Sequence, residues 1–437
     1  MTLKTIWTFI LRLFGLEKKG VDEADMKRNS LFAEQYEDIS KINFTSIFAG
    51  KLTTLAVSES TADIDGDNAR ADFQRECLKA LWENRKRLTS RMLGTGGCIA
   101  APYVKDGELL YDLIPQSRVI ITEKMGERIT GAVILADCVK KGTKAYYRLA
   151  EYKVEGSTLH ITNRVIDENG APATVAEWKD IADHSIGGMD RVLFAFFKSP
   201  IDNRKSADEY GVPVTYGCEG LMQEIQDTLQ EIEKEFKQKK ARVFADERFF
   251  RIDKNTGKYI MPSEAFMAAN MEGSNSAMEI FSPDIRDSSY YNRLVNLFEL
   301  LEKAVGTSKG ILTAPETRGA TATEIKAAIY DTYALVADIR AVLEKGIGEY
   351  LRCCDVLANY YGLAPMGEYD LKFDWSYSMI ESSTETWAQL KEAQAMGVKS
   401  KAEVRVWLNP NETLEEAEEK IQEIQKNEPS VTNLLGE

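Results

Sequence analysis

The feature that most constrains this chain is a helical sequence pattern of 41 residues, which runs from Thr321 to Tyr361. Apolar residues recur along it at intervals of three and four, from Ile325 to Leu357, as they do on one face of a helix. At a rise of 1.5 Å per residue, such a helix spans roughly 60 Å. It cannot be buried in one small domain, so we expect it to cross a large particle or to pack between subunits.

Four residues of this segment carry specific structural signals. Thr321 and Glu324 match a capping box, in which each side chain bonds to the backbone of the other residue at a helix start. Gly346 and Gly348 lie in the helix interior and predict a bend. Because glycine weakens a helix, alanine at both positions is expected to stabilise it by roughly 0.5–1 kcal/mol per site, while impairing assembly.

The long helix is preceded by a glycine-rich loop, residues 306–320, which also contains Pro315. The glycines and the proline predict that this loop moves relative to the helices on either side. Its cations are Lys309 and Arg318, and its acid is Glu316. The alternative interpretation is a surface loop with ordinary polar charges.

Charge and composition exclude several classes of protein. The chain has 55 Lys and Arg against 69 Asp and Glu, a net charge of −14, whereas proteins that bind nucleic acid by neutralising phosphates usually carry the opposite sign. It has two histidines, His160 and His184, and the second lies in a predicted loop, which disfavours a Ser-His-Asp triad. The six cysteines include no C-x-x-C pair, so we expect six buried free thiols, a reducing compartment, and no metal or cofactor site. The adjacent Cys353 and Cys354 are expected to pack in the core.

One enzymatic alternative stays open. Metal-dependent nucleases need paired carboxylates and a lysine, and the bare spacing occurs at Glu177-x-Lys179 and at Asp370-x-Lys372. The same spacing arises often by chance in an acidic chain. Because no other catalytic constellation is present, we expect a protein without enzymatic activity.

The first half of the chain contains helices followed by short strands. Residues 1–20 predict an amphipathic arm that docks on its own or a neighbouring subunit rather than on a membrane, because its apolar stretch, Leu3–Leu16, is shorter than the roughly 20 residues that a membrane span needs. A helix is predicted over residues 68–93, where the Gly94–Gly97 stretch stops it and leads into a sheet edge. Seven β-rich runs between residues 98 and 197 predict a mostly antiparallel sheet of hairpins.

The second half is mainly helical. Helices are predicted from Glu219 to Phe236 and from Ser288 to Val305. The unit between them, residues 244–283, is too short for a core of its own. After the long helix, the sequence predicts a strand at Tyr369–Asp374 and helices at 385–396, 401–408 and 414–426.

A basic segment joins the first of these helices to the unit that follows it. Between residues 234 and 258, nine cations stand against four acids, a net charge of +5 in an otherwise acidic chain. The cations are Lys234, Lys237, Lys239, Lys240, Arg242, Arg248, Arg251, Lys254 and Lys258. They predict contact with DNA or with a protein motor, and a solvated helix end is the alternative.

The order of these elements resembles that of tailed-phage portal proteins, and the resemblance covers almost the whole chain. The stretches that carry it are Thr95-Gly-Gly-Cys-Ile99 with Lys105-Asp-Gly107, the glycine-rich loop, Thr321-Ala-Thr-Glu-Ile325, Gly397-Val-Lys-Ser-Lys-Ala-Glu403 and Leu414-Glu-Glu-Ala-Glu418. In portal proteins, similar stretches form the wing, open the long wing helix and form the helical crown.

The resemblance implies a ring-forming α+β fold of the portal type. It has a helical stem and a long bent helix, with an antiparallel β-rich wing, a small α/β clip and a helical C-terminal crown. The implied segments are an N-terminal arm (1–20), wing (21–215), stem helix 1 (216–243), clip (244–286), stem helix 2 (287–305), tunnel loop (306–320), long bent wing helix (321–365), and crown with an acidic C-terminal tail (366–437).

The resemblance also implies a function. Family members form a ring of twelve subunits at one capsid vertex, which is the channel for DNA packaging and ejection. Implied partners are further copies of the chain, the terminase large subunit, major capsid and scaffolding proteins, head-completion (adaptor) proteins, and double-stranded DNA that passes without sequence-specific contacts. The implied location is the virion, and the host cytoplasm during assembly. The alternative is another structural virion protein, such as a minor capsid protein or head-completion factor.

The same resemblance gives roles to the candidate residues. Lys309 and Arg318 would face DNA in the tunnel loop. The basic residues from Lys234 to Arg251 would contact DNA or the terminase near the clip. Thr321 and Glu324 would cap the long helix, and the two interior glycines would bend it.

Overall fold

The computed structural model describes residues 23–179, 181–204, 209–238, 242–253, 256–260, 266–269, 278–281, 287–314, 322–375, 391–408 and 413–427. The chain divides into two compact units. The larger contains residues 1–319 and 327–374, and the smaller contains residues 320–326 and 375–437. Helices and antiparallel strands are both present, as an α+β fold requires.

From residue 23 onward, the larger unit has four helices and one strand before its sheets. They are α1 (Glu23–Glu37), α2 (Phe44–Val57), β1 (Thr61–Asp65), α3 (Ala69–Glu83) and α4 (Arg85–Thr95). Asparagine side chains begin two of these helices: Asn43 Oδ1 accepts the N–H of Ser46, and Asn68 Oδ1 accepts those of Arg70 and Ala71. These are preferred N-cap contacts, because they satisfy amide groups that lack a helical partner.

The single helix predicted over residues 68–93 is wrong, because the chain breaks it at Asn84 into α3 and α4. The Asn84 backbone N–H donates to Leu81 O at 3.0 Å, and its side chain donates to the hydroxyl of Tyr111 at 2.7 Å. The break thus coincides with a tertiary contact rather than with a glycine or proline. The strand β1 is not among the elements that the sequence predicts.

The glycine-rich end of α4 confirms the predicted helix stop. Gly96 has φ +94°, and a Cβ there would lie 2.4 Å from the carbonyl oxygen of Gly211. A Cβ on Gly211 would in turn lie 1.9 Å from the oxygen of Gly96, so both positions require glycine for backbone approach. The next strand, β2 (Gly97–Lys105), is the central strand of a three-stranded sheet and not the predicted edge.

Two antiparallel sheets follow α4 in the chain. One has the order β3 (Glu108–Pro115), β2 and β9 (Ala195–Lys198). The other is a five-stranded meander of consecutive strands, which confirms the predicted antiparallel hairpins. Its strands are β4 (Val119–Met125), β5 (Arg128–Lys141), β6 (Lys144–Glu155), β7 (Thr158–Asp167) and β8 (His184–Gly187).

Two expectations in this region are wrong. His184 begins the edge strand β8 instead of lying in a loop, and its backbone pairs with Ile161. Cys138 is exposed, whereas the other five cysteines are free and buried. Cys138 follows a register shift in β5 between Leu135 and Asp137, where the alternation of side chains between the two faces is interrupted.

Two helices and a small mixed sheet come next. The helices are α5 (Glu219–Gln238) and α6 (Asp287–Val305), close to the bounds predicted from sequence. Arg293 of α6 lies 3.3 Å from Glu224 of α5. Between them lie β10 (Arg242–Asp246), β11 (Arg251–Ile252), β12 (Tyr259–Ile260), β13 (Phe266–Ala269) and β14 (Met278–Phe281). β10 pairs in parallel with β13 and antiparallel with β14.

The long helix is confirmed as α7 (Ala322–Tyr361), 40 residues without interruption. Its buried residues include Ile339, Leu343, Ile347 and Tyr350. Arg340 on this helix donates from Nε to Ala56 O at 3.1 Å and from Nη2 to Leu55 O at 3.3 Å. These carbonyls belong to the last turn of α2, where a cation is favoured by the helix dipole.

The end of α7 is fixed by a polar network around the buried Arg70. Arg70 is 2% exposed and donates to Asn359 Oδ1 at 2.5 Å and to the backbone oxygens of Ala364 and Pro365 at 2.8 and 2.9 Å. Asp355 accepts from Tyr369 at 2.6 Å. The predicted strand after the helix is confirmed as β15 (Asp370–Asp374), which pairs antiparallel with β1.

The smaller unit contains α8 (Lys401–Leu408) and α9 (Leu414–Asn427), which confirm two of the predicted C-terminal helices. Ser400 and Glu403 form a reciprocal capping box at the start of α8, with N···O distances of 3.1 and 2.6 Å. Within the described ranges, no helix combines the length and apolar character needed to cross a membrane.

Candidate functional site

The loop after α6 begins with a helix-terminating turn at Gly306. Gly306 has φ +83°. Its N–H donates to Lys303 O at 3.1 Å, and the N–H of Thr307 donates to Glu302 O at 2.9 Å. This pair of hydrogen bonds is the Schellman motif, which satisfies carbonyls at a helix end and favours glycine at this position.

The carboxylate of Glu302 organises the next part of the loop. Oε1 accepts four consecutive backbone N–H groups, from Gly310, Ile311, Leu312 and Thr313, at 3.1, 2.8, 2.6 and 3.2 Å. Oε2 accepts the Thr313 hydroxyl at 2.6 Å. The glutamate is 1% exposed, so its charge is stabilised mainly by these converging donors.

The same segment is also bound to the long helix. The N–H of Ser308 donates to Thr332 Oγ1 at 2.8 Å, and the N–H of Thr332 donates to Ser308 Oγ at 3.4 Å. Both residues are buried. Residues 307–313 are therefore held by α6 and α7, which differs from the mobile loop that the glycine content predicts.

Of the two loop cations, the structure describes Lys309 and not Arg318. Lys309 Nζ lies 3.1 Å from Glu299 Oε1, and 40% of the lysine side chain is exposed. Its charge is thus partly compensated inside the chain. Arg318 lies outside the described residues.

The structure describes only some residues of the basic segment between residues 234 and 258. Lys234 is exposed, and Lys237 lies 2.5 Å from Glu233 on the same face of α5. Lys239 and Lys240 fall outside the described residues, and only the backbone of Arg242 is described, in β10. Arg251 is exposed in β11.

Arg248 is bound to a carboxylate of its own segment. Its Nε and Nη2 lie 2.8 Å from Asp246 Oδ1 and Oδ2, and its backbone N–H donates to Oδ1 at 3.0 Å. The guanidinium, followed by the backbone N–H, lowers the pKa of Asp246 to about 2. The bidentate pair keeps the carboxylate charged and reduces the local positive charge.

The cap and the bend predicted for the long helix can be placed only in part. Thr321 lies outside the described residues, and Glu324 is described only as backbone of α7, so the capping box stays a prediction. The helix continues through Gly346 and Gly348. A Cβ on Gly346 would meet the ring of Phe197, whereas a Cβ on Gly348 would have nothing within 4 Å.

The nuclease-like motifs each contribute one member to an ion pair with another strand or turn. Glu177 Oε2 lies 2.6 Å from Lys141 Nζ, and Lys372 pairs with Asp65. In the part of the chain that the structure describes, no group of three or more His, Cys, Asp and Glu could hold a metal ion.

Apolar side chains are exposed on the helices next to the loop. Phe236 of α5 is 49% exposed, Tyr291 and Leu300 of α6 are 68% and 55% exposed, and Tyr330 of α7 is 64% exposed. On α6, Leu297 and Leu301 face inward and are buried. α6 is therefore apolar on more than one side.

Glu302 was missed by the sequence interpretation, although the sequence contains a signal. An acid in the last turn of a helix opposes the helix dipole, so it needs a compensating contact. Glu302 stands four residues before Gly306, the residue that ends α6. The donors that compensate it come from the loop that follows.

Comparison with known proteins gives a family and several solved chains. The family described as "Phage portal protein, SPP1 Gp6-like" matches residues 40–428. Three solved chains, each 12% identical and each covering 84% of this chain and 89% of its own length, are similar: the "Neck of native GTA particle computed with C12 symmetry" (TM-score 0.41), the "Neck of empty GTA particle computed with C6 symmetry" (0.42) and the "Virion of native gene transfer agent (GTA) particle" (0.40). No curated protein sequence matches the chain.

Proposed function

The chain belongs to the SPP1 Gp6-like family of phage portal proteins, and from this premise we propose that it forms a ring at one capsid vertex. The ring would be the channel through which DNA is packaged and ejected. The family match over residues 40–428 carries this proposal, because it includes every described element from α2 to the start of the C-terminal tail.

Ring formation is supported by the exposed apolar side chains on α5, α6 and α7. Tyr291, Leu300 and Tyr330 are each more than half exposed in the single chain, so much of their apolar surface faces water. A second copy that covers them would remove this apolar surface from water. A head-to-tail contact that closes yields cyclic symmetry, and the family resemblance implies twelve subunits.

We further propose that the segment implied as the tunnel loop, residues 306–320, faces the axis of the ring. A cation at Lys309 would then repeat around the channel and contact phosphates, which carry no sequence information. The net charge of −14 supports weak overall contact with DNA, because an acidic wall repels the passing duplex. The exposed Lys234 and Arg251 would contact DNA or the terminase at the clip.

The remaining assignments follow from the family in the same way. Residues 21–215 would be the wing, 216–243 and 287–305 the two stem helices, 244–286 the clip, 321–365 the long wing helix and 366–437 the crown. The terminase large subunit and head-completion proteins would dock at the clip, and the capsid and scaffolding proteins around the wing and stem. ATP hydrolysis would belong to the terminase, and the assembled protein would be found in the virion.

Native mass spectrometry with negative-stain imaging of the purified full chain tests the ring. Closed rings with an axial channel and no ATP hydrolysis are expected. Monomers over a wide concentration range would contradict the proposal and favour a minor capsid protein or head-completion factor. Metal-dependent cleavage of DNA by a monomer would favour the nuclease alternative instead.

A further inference from the structure

We propose that Glu302 is the positioning residue of the loop that follows α6: its carboxylate fixes residues 310–313 against the helix end and thereby sets where Lys309 is presented. The importance of this position for DNA rests on the proposed function. The contacts of Glu302 with the loop do not.

Four backbone donors of the loop converge on one carboxylate oxygen. The four N–H groups of residues 310–313 lie in turns and bends, where no helix or sheet ladder supplies them with carbonyl partners. All four donate to one atom, Glu302 Oε1. Successive amides can converge on a single point only if the backbone curls around it, so the carboxylate sets the curvature of the segment.

Glu302 fixes both the helix end and the loop. The backbone oxygen of Glu302 accepts the N–H and the hydroxyl of Thr307, at 2.9 and 3.0 Å, and its side chain accepts residues 310–313. Ser308, between these anchors, is bound to Thr332 of α7. The backbone of Lys309 is therefore held on both sides.

The side-chain tip of Lys309 contacts a different glutamate from the one that holds the loop backbone. The tip is 3.1 Å from Glu299, which lies three residues before Glu302 on the same helix. Loss of Glu299 would remove this ion pair and leave the loop backbone in place. Loss of the Glu302 carboxylate would free the backbone of residues 310–313, which follow Lys309, so the two glutamates form a matched pair for an experiment.

A charged group suits this role better than a neutral one. Several amide dipoles point at the carboxylate and stabilise negative charge there, and bonds to a charged acceptor are stronger than neutral ones. In Glu302→Gln the side chain keeps its length but loses its charge, and its NH₂ group would face other donors. In Glu302→Asp the charge stays but the carboxylate is one methylene too short to reach all four amides.

Hydrogen–deuterium exchange of the purified full chain, read by mass spectrometry, tests the inference. In Glu302→Gln, we expect the amides of residues 310–313 to exchange at least about tenfold faster than in the parent, because local opening no longer breaks charge-assisted bonds. Glu302→Asp is expected to fall between them. Peptides from the middle of α6 and α7 should be unchanged, and Glu299→Gln should leave residues 310–313 protected.

A second variant keeps the test decisive if Glu302→Gln does not fold. Thr313→Val removes only the hydroxyl that donates to Oε2, so the exchange of residues 310–313 should rise by about two- to threefold without loss of the fold. Unchanged exchange of residues 310–313 in the folded variants would overturn the inference. An increase spread evenly over α6 and α7 would also overturn it, because it would show a general loss of stability.

The exchange measurement needs no capsid, so it separates this inference from the proposed function. Nuclease-protected DNA per head is measured in parallel for Glu302→Gln and Lys309→Ala. If exchange rises as expected while both variants package DNA like the parent, Glu302 positions the loop but the loop does not act on DNA. If exchange does not change, the inference fails whatever the packaging result.

Discussion

The ring of Phe197 occupies the space that a side chain at residue 346 would need: a Cβ on Gly346 would lie 2.4 Å from two of the ring carbons. Phe197 is fully buried in β9, so it has little room to move. Gly346 thus allows the long helix to approach the sheet closely. This contact explains a glycine in the middle of α7 whether or not the helix also bends there.

The two glycines of α7 are expected to respond in opposite directions to alanine. Gly346→Ala should destabilise the fold by about 1–3 kcal/mol, because it overpacks a buried contact. Gly348→Ala, exposed and with free space around its Cα, should stabilise it by about 0.5–1 kcal/mol through helix propensity. Urea unfolding of the two variants and the parent measures both changes.

A substitution of Phe197 provides the control for Gly346→Ala. Phe197→Leu creates space beside residue 346, so Gly346→Ala should cost less in that background, with a coupling of about 1 kcal/mol in a double-mutant cycle. Equal stabilisation by alanine at both positions, as sequence alone suggests, would contradict the role given to Phe197.

The pair of Asp246 and Arg248 should make stability depend on pH in a defined window. The guanidinium holds the pKa of Asp246 at about 2, below its ordinary value of 3.8. A carboxyl whose pKa is lower in the folded chain contributes stability above the unfolded pKa and loses it as the pH falls toward the folded pKa. The advantage of the parent over Arg248→Gln should therefore be complete above about pH 5 and be lost as the pH falls through about 2.

Thermal unfolding of the parent and Arg248→Gln at several pH values measures this difference, in which the titration of other acids largely cancels. Lys234→Gln, which removes one exposed cation from the same segment, is the matched control and should show no such window. An Arg248→Gln effect that is equal at neutral and strongly acidic pH would argue against the pair.

The elements that were predicted correctly have long periodic patterns. The 40 residues of α7 and the consecutive hairpins of β4–β7 give many repeats of one signal. The break at Asn84 and the strand β1 depend on partners remote in sequence, Tyr111 and residues 370–374, which periodicity does not contain. For the same reason, the glycine content of the loop did not reveal the buried Glu302 that holds it.

Lys309 and Arg318 are expected to affect the packaging or retention of DNA rather than the assembly of the ring. Lys309→Ala combined with Arg318→Ala is expected to leave ring formation and terminase docking intact and to change packaging or retention, because phosphate contacts are lost at every subunit. The measurement is nuclease-protected DNA per head. Lys303→Ala, an exposed cation in the last turn of α6, is the control. A structure of the assembled protein with this loop on the outer surface would remove the proposal, whatever the packaging result.

The exposed apolar residues beside the loop should affect assembly rather than folding. Leu300 and Tyr330 are 55% and 64% exposed in the single chain, so Leu300→Ser and Tyr330→Ser should each change the stability of the monomer by less than about 0.5 kcal/mol. If a second copy covers them, each substitution removes an apolar anchor at every interface of the ring, with a cost of about 1–2 kcal/mol per contact. The concentration at which half of the protein forms rings should then rise by about tenfold or more, as native mass spectrometry over a dilution series would show.

Met125→Ser, at an equally exposed position on β4 (61% exposed), is the control and should assemble like the parent. Rings that form at the parental concentration in both helix variants would mean that this apolar surface is not where the subunits meet.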